Sequence, residues 1–356
     1  MRGALFKGVT PPVEEVTVKL KKSAANPILS PNPANAWENF CVLNPAVVFD
    51  DARGEFVMLY RAAGDTERHH IHIGLATSRD GVNFERQSDQ PVFSPSPNGP
   101  DAGGVEDPRL IKMGDWYYLT YAARPYPPGR YWDPVALKNR YWINPPPDGP
   151  VFLKDNATLT YLAITQDFVN FKRLGRITDA CDDDRDVILF PEKINGKYVR
   201  LSRPMRYGRG YPCARPSTWI AYADDLMEWS NPNVLMEGKE EWESLKIGGS
   251  CPPLRTDAGW LHLYHGVAPK DKGRGYCAGA VLLDLENPEK IIARTKQPIL
   301  EPTEACEMSG IYNGCVFPTG NVIHQGTLYV YYGAADKYVC VATVELDEFL
   351  NDLVAE

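Results

Sequence analysis

The stretch VMLYRA at residues 57–62 is an apolar strand that ends in a polar side chain, and the chain repeats this pattern. The further copies are YYLTYAA (117–123), YVRLSRP (198–204), LHLYHG (261–266) and LYVYYG (328–333). A second apolar stretch follows each copy, from IHIGLATS after the first to YVCVATVE after the last. Strand repeats spaced roughly 60 to 80 residues apart are typical of a β-propeller, in which each repeat forms one blade.

We therefore expect an all-β fold, a five-bladed β-propeller in which residues 1–356 form a single domain. The predicted blades span residues 37–100, 101–176, 177–240, 241–300 and 301–356. Residues 1–36 precede them as an N-terminal extension that closes the propeller.

An insertion at residues 124–157 interrupts the second repeat and is rich in Pro, Tyr, Trp and Arg. A loop of this length usually has a function or forms an interface. Exposed aromatic and arginine side chains suit contact with a sugar or with another subunit, so a homo-oligomer is one expectation. Simple packing on the surface is the alternative.

Aligning the first strands places five polar side chains in one column. They are Arg61, Tyr121, Arg203, His265 and Tyr332. Equivalent positions of propeller repeats face a common axis, so we expect this column to form a ring around one pocket.

Composition and charge restrict the possible partners. The chain has 356 residues with 44% hydrophobic and 24% charged residues, which is typical of a soluble globular protein. Its net charge of −8 argues against a nucleic-acid or anionic-membrane partner. The sequence shows neither an apolar run of about 18 residues nor an apolar signal core, so we expect a cytoplasmic protein.

The potential metal-binding residues favour no metal site. Eight cysteines lack CxxC spacing and are interpreted as buried free thiols. His69, His70 and His72 are close in sequence, but alternation along a strand would divide them between two faces. We therefore predict no metal and no cofactor.

The segment GGVEDPR at residues 103–109 combines flexible glycines with two carboxylates and an arginine. Glycine lets a backbone approach a ligand closely, and Pro108 biases Asp107 toward an extended conformation. Glu106 and Asp107 beside Arg109 fit either a catalytic acid or a structural ion pair.

Basic residues elsewhere in the sequence favour the catalytic acid over the structural ion pair. Arg185, Arg203 and Lys246 stand at the starts of predicted inner strands or in the loops before them, and His265 belongs to the polar column. Three cations around one pocket of an acidic protein indicate an anion, and the arginine fork matches phosphate oxygens. The sequence lacks the nucleotide-binding GxxxxGK[ST] pattern, so we predict a site for free inorganic phosphate.

Longer motifs resemble glycoside hydrolase family 130, which comprises inverting mannoside phosphorylases and related mannosidases. The motifs, in family order, are GGVEDPRL (103–110), DVILFPEKINGKY (186–198), LSRP (201–204), KIGGSCPPL (246–254), GWLHLYHGV (259–267) and YYGAAD (331–336). The resemblance implies a five-bladed propeller. One departure is Ser202, at a position where the family often has histidine.

The resemblance also implies roles for individual residues. Asp107 becomes the general acid, and the phosphate site comprises Arg185, Arg203, Lys246 and His265. The expected sugar-binding residues are Asn44, Arg61, Glu106, Tyr121, Tyr264 and Asp336. For Tyr121, stacking on the acceptor sugar and packing in the core both remain open.

The implied reaction is phosphorolysis of a β-mannoside to α-mannose 1-phosphate and a shortened acceptor, with inorganic phosphate as co-substrate. Such a single displacement needs one acid, whose pKa we expect burial or Glu106 to raise. The resemblance adds a proton route through the mannose 3-hydroxyl. The alternatives are an inverting β-mannosidase that uses water and a non-catalytic carbohydrate-binding propeller. The linkage and the acceptor sugar stay open.

Overall fold

The computed structural model describes residues 19–133, 135, 156–180, 182–269 and 275–355, and most of its regular structure is β-strand. The first ten strands are β1 (Lys21–Lys22), β2 (Cys41–Asp50), β3 (Glu55–Ala63), β4 (Ile71–Ser78), β5 (Glu85–Arg86), β6 (Gly104–Met113), β7 (Trp116–Arg124), β8 (Leu159–Thr165), β9 (Lys172–Arg176) and β10 (Asp184–Leu189). The others are β11 (Tyr198–Pro204), β12 (Thr218–Ala223), β13 (Ser230–Met236), β14 (Lys246–Gly249), β15 (Leu254–Thr256), β16 (Gly259–Val267), β17 (Tyr276–Leu283), β18 (Ile291–Arg294), β19 (Val316–His324), β20 (Thr327–Ala334) and β21 (Tyr338–Glu345). Two helices, α1 (Ala305–Met308) and α2 (Leu346–Ala355), and a 3₁₀ turn at Glu241–Glu243 complete the described elements. The predicted all-β class is confirmed.

The strands form four sheets, which divide into five antiparallel meanders. The first two meanders share one sheet, because β4 pairs with β6 in parallel at Ile71 and Gly104. The first meander contains β2 to β5, the second β6 to β9, the third β10 to β13 and the fourth β14 to β18. The fifth contains β19 to β21 and is extended by β1, which pairs with β21 through Lys21 and Thr343. The described part of the N-terminal extension therefore supplies a strand to the last meander.

The first strands of the meanders contact one another in a cyclic order. Strand β2 contacts β6, β6 contacts β10, and β10 contacts β14. The fourth meander then contacts β19 through β16 and β17, and β19 contacts β2. Residues far apart in the chain thus meet at one place.

The hydrophobic core lies between neighbouring meanders. Strand β16 is buried at every one of its nine positions because both of its faces are covered. One cluster joins the third meander to the fourth through Ile220, Trp260 and Tyr264. Another joins the first meander to the second through Leu59 and Leu119. Continuous apolar runs, rather than alternating ones, are typical of strands covered on both sides.

A β-bulge interrupts the first strand of three meanders at equivalent positions. The register shifts between Leu43 and Ala46 in β2, between Glu106 and Arg109 in β6, and between Arg185 and Ile188 in β10. The first bulged residue has a positive φ in each strand: 46° at Asn44, 48° at Asp107 and 55° at Asp186. A bulge redirects a side chain away from the regular ladder. Asn and Asp tolerate this left-handed conformation better than most residues.

The strand register corrects the polar column predicted for the second meander. In the first meander, the residue directly before the bulge is Leu43, and it pairs with Arg61. In the second meander, the residue directly before the bulge is Glu106, and it pairs with Ala122. Ala122, and not Tyr121, is therefore the counterpart of Arg61. A slip of one residue turns a side chain to the opposite face of a strand.

Tyr332 of the fifth meander is also outside the predicted ring. Its side chain is fully buried, and its hydroxyl donates a hydrogen bond to Glu307 Oε1 over 2.8 Å. The following residue, Gly333, lies against Asn44, so close that an added Cβ would stand 2.2 Å from Asn44 Oδ1. The prediction of a five-membered polar ring is thus wrong at Tyr121 and Tyr332.

Within the described residues, no helix has both the length and the apolar character that crossing a membrane requires. Of the insertion at 124–157, the structure describes residues 124–133, 135, 156 and 157. The remaining residues of that insertion lie outside the described part of the chain.

Candidate active site

A cavity of about 400 Å³ opens where the first strands of the meanders converge. Sequence reasoning predicted nine of its lining residues: Asn44, Arg61, Glu106, Asp107, Arg185, Arg203, Lys246, His265 and Asp336. All five meanders contribute to this set. The volume lies in the range that is usual for small-molecule sites.

Asp107 projects into the cavity from the bulge of β6. Its Oδ1 accepts a hydrogen bond from Asn44 Nδ2 over 2.7 Å and another from Arg61 Nη1 over 2.8 Å. Arg109 Nη1 donates to the Asp107 carbonyl over 2.9 Å. The carboxylate is therefore fixed by the first meander, while its backbone is fixed by its own strand.

The electrostatic surroundings of Asp107 correct the predicted direction of its pKa. Burial raises the pKa, but the charges of Arg61 and Arg109 and the hydrogen bonds from Asn44 and Arg61 outweigh it. The pKa of Asp107 is consequently held below its usual value, whereas we expected a raised one. With these partners Asp107 is a carboxylate at neutral pH, and proton donation requires an additional negative charge nearby.

Glu106 holds Arg61 in place. Its side chain is 5% exposed, contacts Arg61 Nη1 at 3.3 Å and accepts a short hydrogen bond from Arg124 Nε. The two carboxylates raise the pKa of Arg61 well above its ordinary value, although burial opposes them. Arg61 therefore stays charged and bridges Glu106 and Asp107.

The basic residues gather on the opposite side of the cavity. Arg185 and Arg203 pair in the strand register, and each guanidinium is fixed through Nε by a carboxylate. The Nε–Oδ distance is 2.6 Å both for Arg185 with Asp183 and for Arg203 with Asp186. Lys246 Nζ lies 5.1 Å from the centre of the Tyr276 ring.

Asp186 is a cavity residue that sequence reasoning missed. It occupies the bulge of β10 at the position that Asp107 occupies in β6. Burial raises the pKa of Asp186, but the charges of Arg203 and Arg109 and the hydrogen bond from Arg203 outweigh this and lower the pKa. The aligned pairs Glu106-Asp107 and Arg185-Asp186 were the signal that could have identified it.

Lys246 and His265 differ in charge state. Burial, together with the charge of Arg203, lowers the pKa of Lys246 to about 8, so its ammonium is charged at neutral pH. Burial lowers the pKa of His265 to about 3, so its imidazole is neutral there. His265 Nε2 lies 3.8 Å from Asp186 Oδ2 and contributes a polar ring rather than a positive charge.

Aromatic side chains form two walls of the cavity. On one side, the Tyr276 ring centre lies 5.4 Å from that of Tyr312 and 5.8 Å from that of Phe317. On the other side, Pro128 and Tyr131 of the insertion line the cavity. The described part of the insertion therefore reaches the site.

The insertion is attached to the first meander next to the cavity. Trp132 stacks on Phe40 with ring centres 4.7 Å apart, and Gly129 N donates to the Arg68 carbonyl over 2.9 Å. His69 packs against Trp132 at 4.7 Å. These contacts fix the chain on both sides of Tyr131.

Tyr121 and Tyr264 were predicted to bind substrate, but the structure places both in the core. Tyr121 is 1% exposed and donates its hydroxyl hydrogen to Asp101 Oδ2 over 3.2 Å. Tyr264 is fully buried, stacks on Trp242 at 5.7 Å and accepts a hydrogen bond from Arg294 Nε over 3.1 Å. The residue that follows each tyrosine points to the opposite face of the same strand. A shift of one position therefore moves a side chain from the cavity into the core.

Within the described ranges, no three His, Cys, Asp or Glu side chains are arranged to hold a metal ion. His69 and His72 are part of aromatic and hydrogen-bonding contacts of the first meander, and burial lowers the pKa of each to about 4. The absence of a metal from the mechanism stays a prediction.

Residues 17–131 and 153–355 match the glycoside hydrolase family 130 profile, described as β-1,4-mannooligosaccharide phosphorylase. A 1,2-β-oligomannan phosphorylase of Thermoanaerobacter sp. (strain X514) is 36% identical over 337 residues, covering 93% of this chain and 99% of the relative. A β-1,2-mannobiose phosphorylase of the same strain is 35% identical over 342 residues, covering 93% and 98%. The solved complex of Listeria innocua β-1,2-mannobiose phosphorylase with β-1,2-mannobiose is similar, with a TM-score of 0.76, 26% identity and coverage of 95% and 99%. The chain therefore belongs to glycoside hydrolase family 130.

Proposed function

We propose that this protein is an inverting β-mannoside phosphorylase. It converts a β-mannosyl oligosaccharide and inorganic phosphate into α-mannose 1-phosphate and a shortened acceptor. The observation that carries this proposal is the cavity itself, in which Asp107 faces a cluster of Arg185, Arg203 and Lys246. Family membership and the phosphorylase names of the relatives support it.

The basic cluster binds the phosphate. Arg185 and Arg203 are preorganised by Asp183 and Asp186, which reduces the cost of ordering them around an anion. Lys246 adds a compact positive charge, and the neutral His265 adds a polar nitrogen. Fixed cations of this kind neutralise the dianion and align it for attack.

Asn44, Arg61, Asp107 and Asp336 hold the mannosyl unit on the other side of the cavity. A phosphate oxygen forms a bond to the anomeric carbon while the bond to the acceptor oxygen breaks. The electron pair of the broken bond stays on the acceptor oxygen, which receives a proton from Asp107, directly or through the mannose 3-hydroxyl. One displacement inverts the anomeric centre and gives the α-phosphate, so a second catalytic carboxylate is unnecessary.

Phosphate binding also shifts the protonation state of the acid, Asp107. Arg61 and Arg109 hold Asp107 in the ionised form, and a bound dianion raises the pKa of a neighbouring carboxyl. Phosphate binding thus brings Asp107 closer to the protonated state that the reaction needs. The acid becomes competent when its co-substrate is in place.

We propose β-1,2-linked mannosides as the substrate class. The relatives with 36% and 35% identity carry β-1,2 names, whereas the β-1,4-mannooligosaccharide phosphorylase of Ruminococcus albus is 28% identical. Pro128 and Tyr131 of the insertion line the cavity and are candidates for contact with the acceptor sugar.

The proposal extends to the architecture and the cellular setting. The five meanders are the blades of a five-bladed propeller, which the cyclic contacts of their first strands support. Among the described residues, seven cysteines form no disulfide, which supports a reducing, cytoplasmic environment. A homo-oligomer with the insertion at its interface stays a prediction that analytical ultracentrifugation tests.

The experiment is incubation with β-1,2- and β-1,4-mannobiose and with mannosyl-glucose, each with and without inorganic phosphate. We expect phosphate-dependent release of α-mannose 1-phosphate, fastest from the β-1,2 disaccharide. Release of free mannose at the same rate without phosphate would identify a hydrolase. Faster turnover of a β-1,4 substrate would overturn the proposed linkage but not the phosphorolysis.

A further inference from the structure

His265 is the neutral member of the basic side of the cavity, so its role depends on which ring nitrogen carries the proton. Burial lowers the pKa of His265 to about 3, and at neutral pH the ring therefore has a single N–H. A neutral imidazole has one donor nitrogen and one acceptor nitrogen. A phosphate dianion presents mostly acceptor oxygens, so it bonds best to the tautomer whose proton lies on the cavity side.

Three neighbouring residues fix the orientation of the His265 ring. His265 pairs with Gly248 across β14 and β16, and a Cβ added to Gly248 would stand 2.6 Å from His265 Cε1. The ring meets the Phe317 ring edge-on with centres 4.7 Å apart, and its centre lies 5.6 Å from that of Tyr276. His265 is 1% exposed, so a close-packed environment opposes rotation of the ring. The two ring nitrogens therefore keep different surroundings.

The Nδ1 side of the ring faces Ser250, the residue directly after β14. Ser250 Oγ lies 3.3 Å from His265 Nδ1, and Ser250 is fully buried. Among the described residues, Nδ1 is the single hydrogen-bond partner of this hydroxyl. A buried hydroxyl with one neighbour satisfies its own proton by donating it to that neighbour. Nδ1 is then the acceptor, and the ring proton lies on Nε2.

The Nε2 side of the ring lies next to negative charge. Asp186 Oδ2 is 3.8 Å from His265 Nε2, and the charges of Arg203 and Arg109 hold the pKa of Asp186 below its usual value. A lone pair on Nε2 would lie beside this carboxylate and beside a bound phosphate. A proton on Nε2 is instead attracted by both. The two sides of the ring thus favour the same tautomer.

The backbone of Ser250 is held at both of its polar groups. Its N–H donates to the Leu263 carbonyl over 3.1 Å, and its carbonyl accepts a short hydrogen bond from Arg109 Nε. Arg109 also donates to the Asp107 carbonyl over 2.9 Å. The hydroxyl of Ser250 is therefore presented to His265 from a fixed backbone.

We infer that Ser250 is a positioning residue of the phosphate site, whose hydroxyl donates to His265 Nδ1 and so keeps Nε2–H as a donor to inorganic phosphate. Ser250 does not line the cavity, and it acts only through His265. The inference rests on the proposed function and deepens it, because it gives the direction of one hydrogen bond to the co-substrate.

The tautomer is measured directly in the wild-type protein by NMR with ¹⁵N-labelled histidine. The chain has six histidines, and the signals that are missing from His265→Gln identify His265. We expect its proton on Nε2, and we expect that N–H signal to shift when inorganic phosphate is added. A proton on Nδ1, or an Nε2–H signal that does not respond to phosphate, would overturn the inference. A protein without phosphorolysis would contradict the proposed function, and the same spectra would still decide this inference.

Ser250→Ala removes the donated proton and leaves the backbone hydrogen bonds of Ser250. We expect the KM for phosphate to rise about three- to tenfold, as for the loss of one hydrogen bond, while the KM for mannoside stays nearly unchanged. The Nδ1–H tautomer of His265 should become populated in this variant. Ser250→Thr keeps the hydroxyl and should retain the wild-type tautomer. An unchanged tautomer in Ser250→Ala, or an equal rise of both KM values, would mean that Ser250 serves packing alone.

Ser78→Ala is the matched control, because it also removes a buried serine hydroxyl. Ser78 Oγ donates to Asp80 Oδ1 over 2.8 Å in the first meander, and Ser78 does not line the cavity. Its loss should lower the melting temperature and leave the KM for phosphate and the His265 tautomer unchanged. A rise in the KM for phosphate equal to that of Ser250→Ala would attribute the effect to lost stability and contradict the inference.

Two amide variants test the cavity side of the ring independently of Ser250. The NH₂ group of glutamine lies close to the position of Nε2, and that of asparagine lies close to the position of Nδ1. We expect the KM for phosphate to rise less than about threefold in His265→Gln and at least about tenfold in His265→Asn. The reverse order would show that phosphate does not need a donor at Nε2.

Discussion

Asp107 combines a strained backbone with two side-chain hydrogen bonds that hold it ionised. Its φ is 48°, and Asn44 and Arg61 both donate to the same oxygen. Strained residues that a structure holds so firmly are typical of functional sites. In the proposed reaction, the charge of the incoming phosphate would reconcile the low pKa of Asp107 with its role as proton donor.

Asp107→Asn should lower kcat on the order of 10²-fold or more, because a carboxamide cannot deliver the proton. The fold should persist, since the amide is isosteric and its oxygen still accepts from Asn44. Initial rates and thermal unfolding of the variant check this, with Asp179→Asn as a control outside the cavity. A rate close to that of the wild type would remove Asp107 as the acid.

Lys246→Met should raise the KM for phosphate at least about tenfold and leave the affinity for mannoside nearly unchanged. Methionine is similar in length to lysine, and it removes the charge that lies 5.1 Å from the Tyr276 ring centre. Arg203→Ala should also impair phosphate use, but it strands the buried Asp186 and so destabilises the protein. Equal loss of phosphate and sugar affinity in Lys246→Met would contradict the assignment.

The pH dependence of phosphate affinity follows from the pKa of Lys246. This pKa is lowered to about 8, so the ammonium is charged below that pH and neutral above it. The KM for phosphate should therefore rise as the pH passes upward through about 8. The rise should be absent in Lys246→Met, and an identical profile in that variant would show that another group titrates.

The bulges of β2, β6 and β10 are the elements that give the site its geometry. Each places its first residue at positive φ, and two of these residues, Asn44 and Asp107, bond to each other. The left-handed conformation costs about 1–2 kcal/mol for an ordinary residue. The backbone and the side chain of Asn44 can therefore be tested separately.

Asn44→Gly should keep the melting temperature close to that of the wild type and reduce kcat/KM roughly tenfold. Glycine accepts the φ of 46° but loses the hydrogen bond to Asp107. Asn44→Ala should lower both the melting temperature and kcat/KM, because it adds backbone strain to the loss of the hydrogen bond to Asp107. If both variants melt equally early, the side chain and not the φ value would be the stabilising feature.

The strands and their repetition are predictable from sequence, because runs such as GWLHLYHGV are apolar on both faces. The strand register is not predictable from sequence, because the residues around Tyr121 fit two alignments that differ by one position. The pairing of Glu106 with Ala122 decides between them, and it depends on a bulge with no sequence signature. The same uncertainty misplaced Tyr264, one residue before His265.

The residues that line the cavity were largely predictable, because most of them are charged residues at repeated positions. The sign of the Asp107 pKa shift was not, since it depends on the 2.8 Å distance to Arg61. Asp186 was not predicted as a cavity residue for a related reason. It stands next to Arg185 in the sequence, and such a pair is typical of an ordinary surface ion pair.

At the scale of the whole molecule, the candidate active site takes lining residues from every meander. Arg61 comes from the first, Asp107 from the second, Arg203 from the third, Lys246 from the fourth and Asp336 from the fifth. The short strand β1 completes the last meander. Its Lys22 pairs with the fully buried Glu307 at 2.5 Å.

Lys22→Ala should lower the free energy of unfolding by about 1–3 kcal/mol, because Glu307 loses a buried charged partner. Urea unfolding at constant pH measures this. Lys21→Ala is the control on the same strand, because Lys21 is exposed, and its effect should stay within about 0.5 kcal/mol. Equal effects at both positions would show that the strand and not the ion pair is stabilising.

The three bulges also bear on how such a protein can change its chemistry. Asn44, Asp107 and Asp186 are an amide, an acid and an arginine anchor at one backbone position of successive repeats. The backbone of these three strands is thus alike at this position, whereas the side chains that it presents differ. Each repeat can exchange its functional group by a single codon change, and the others keep their geometry.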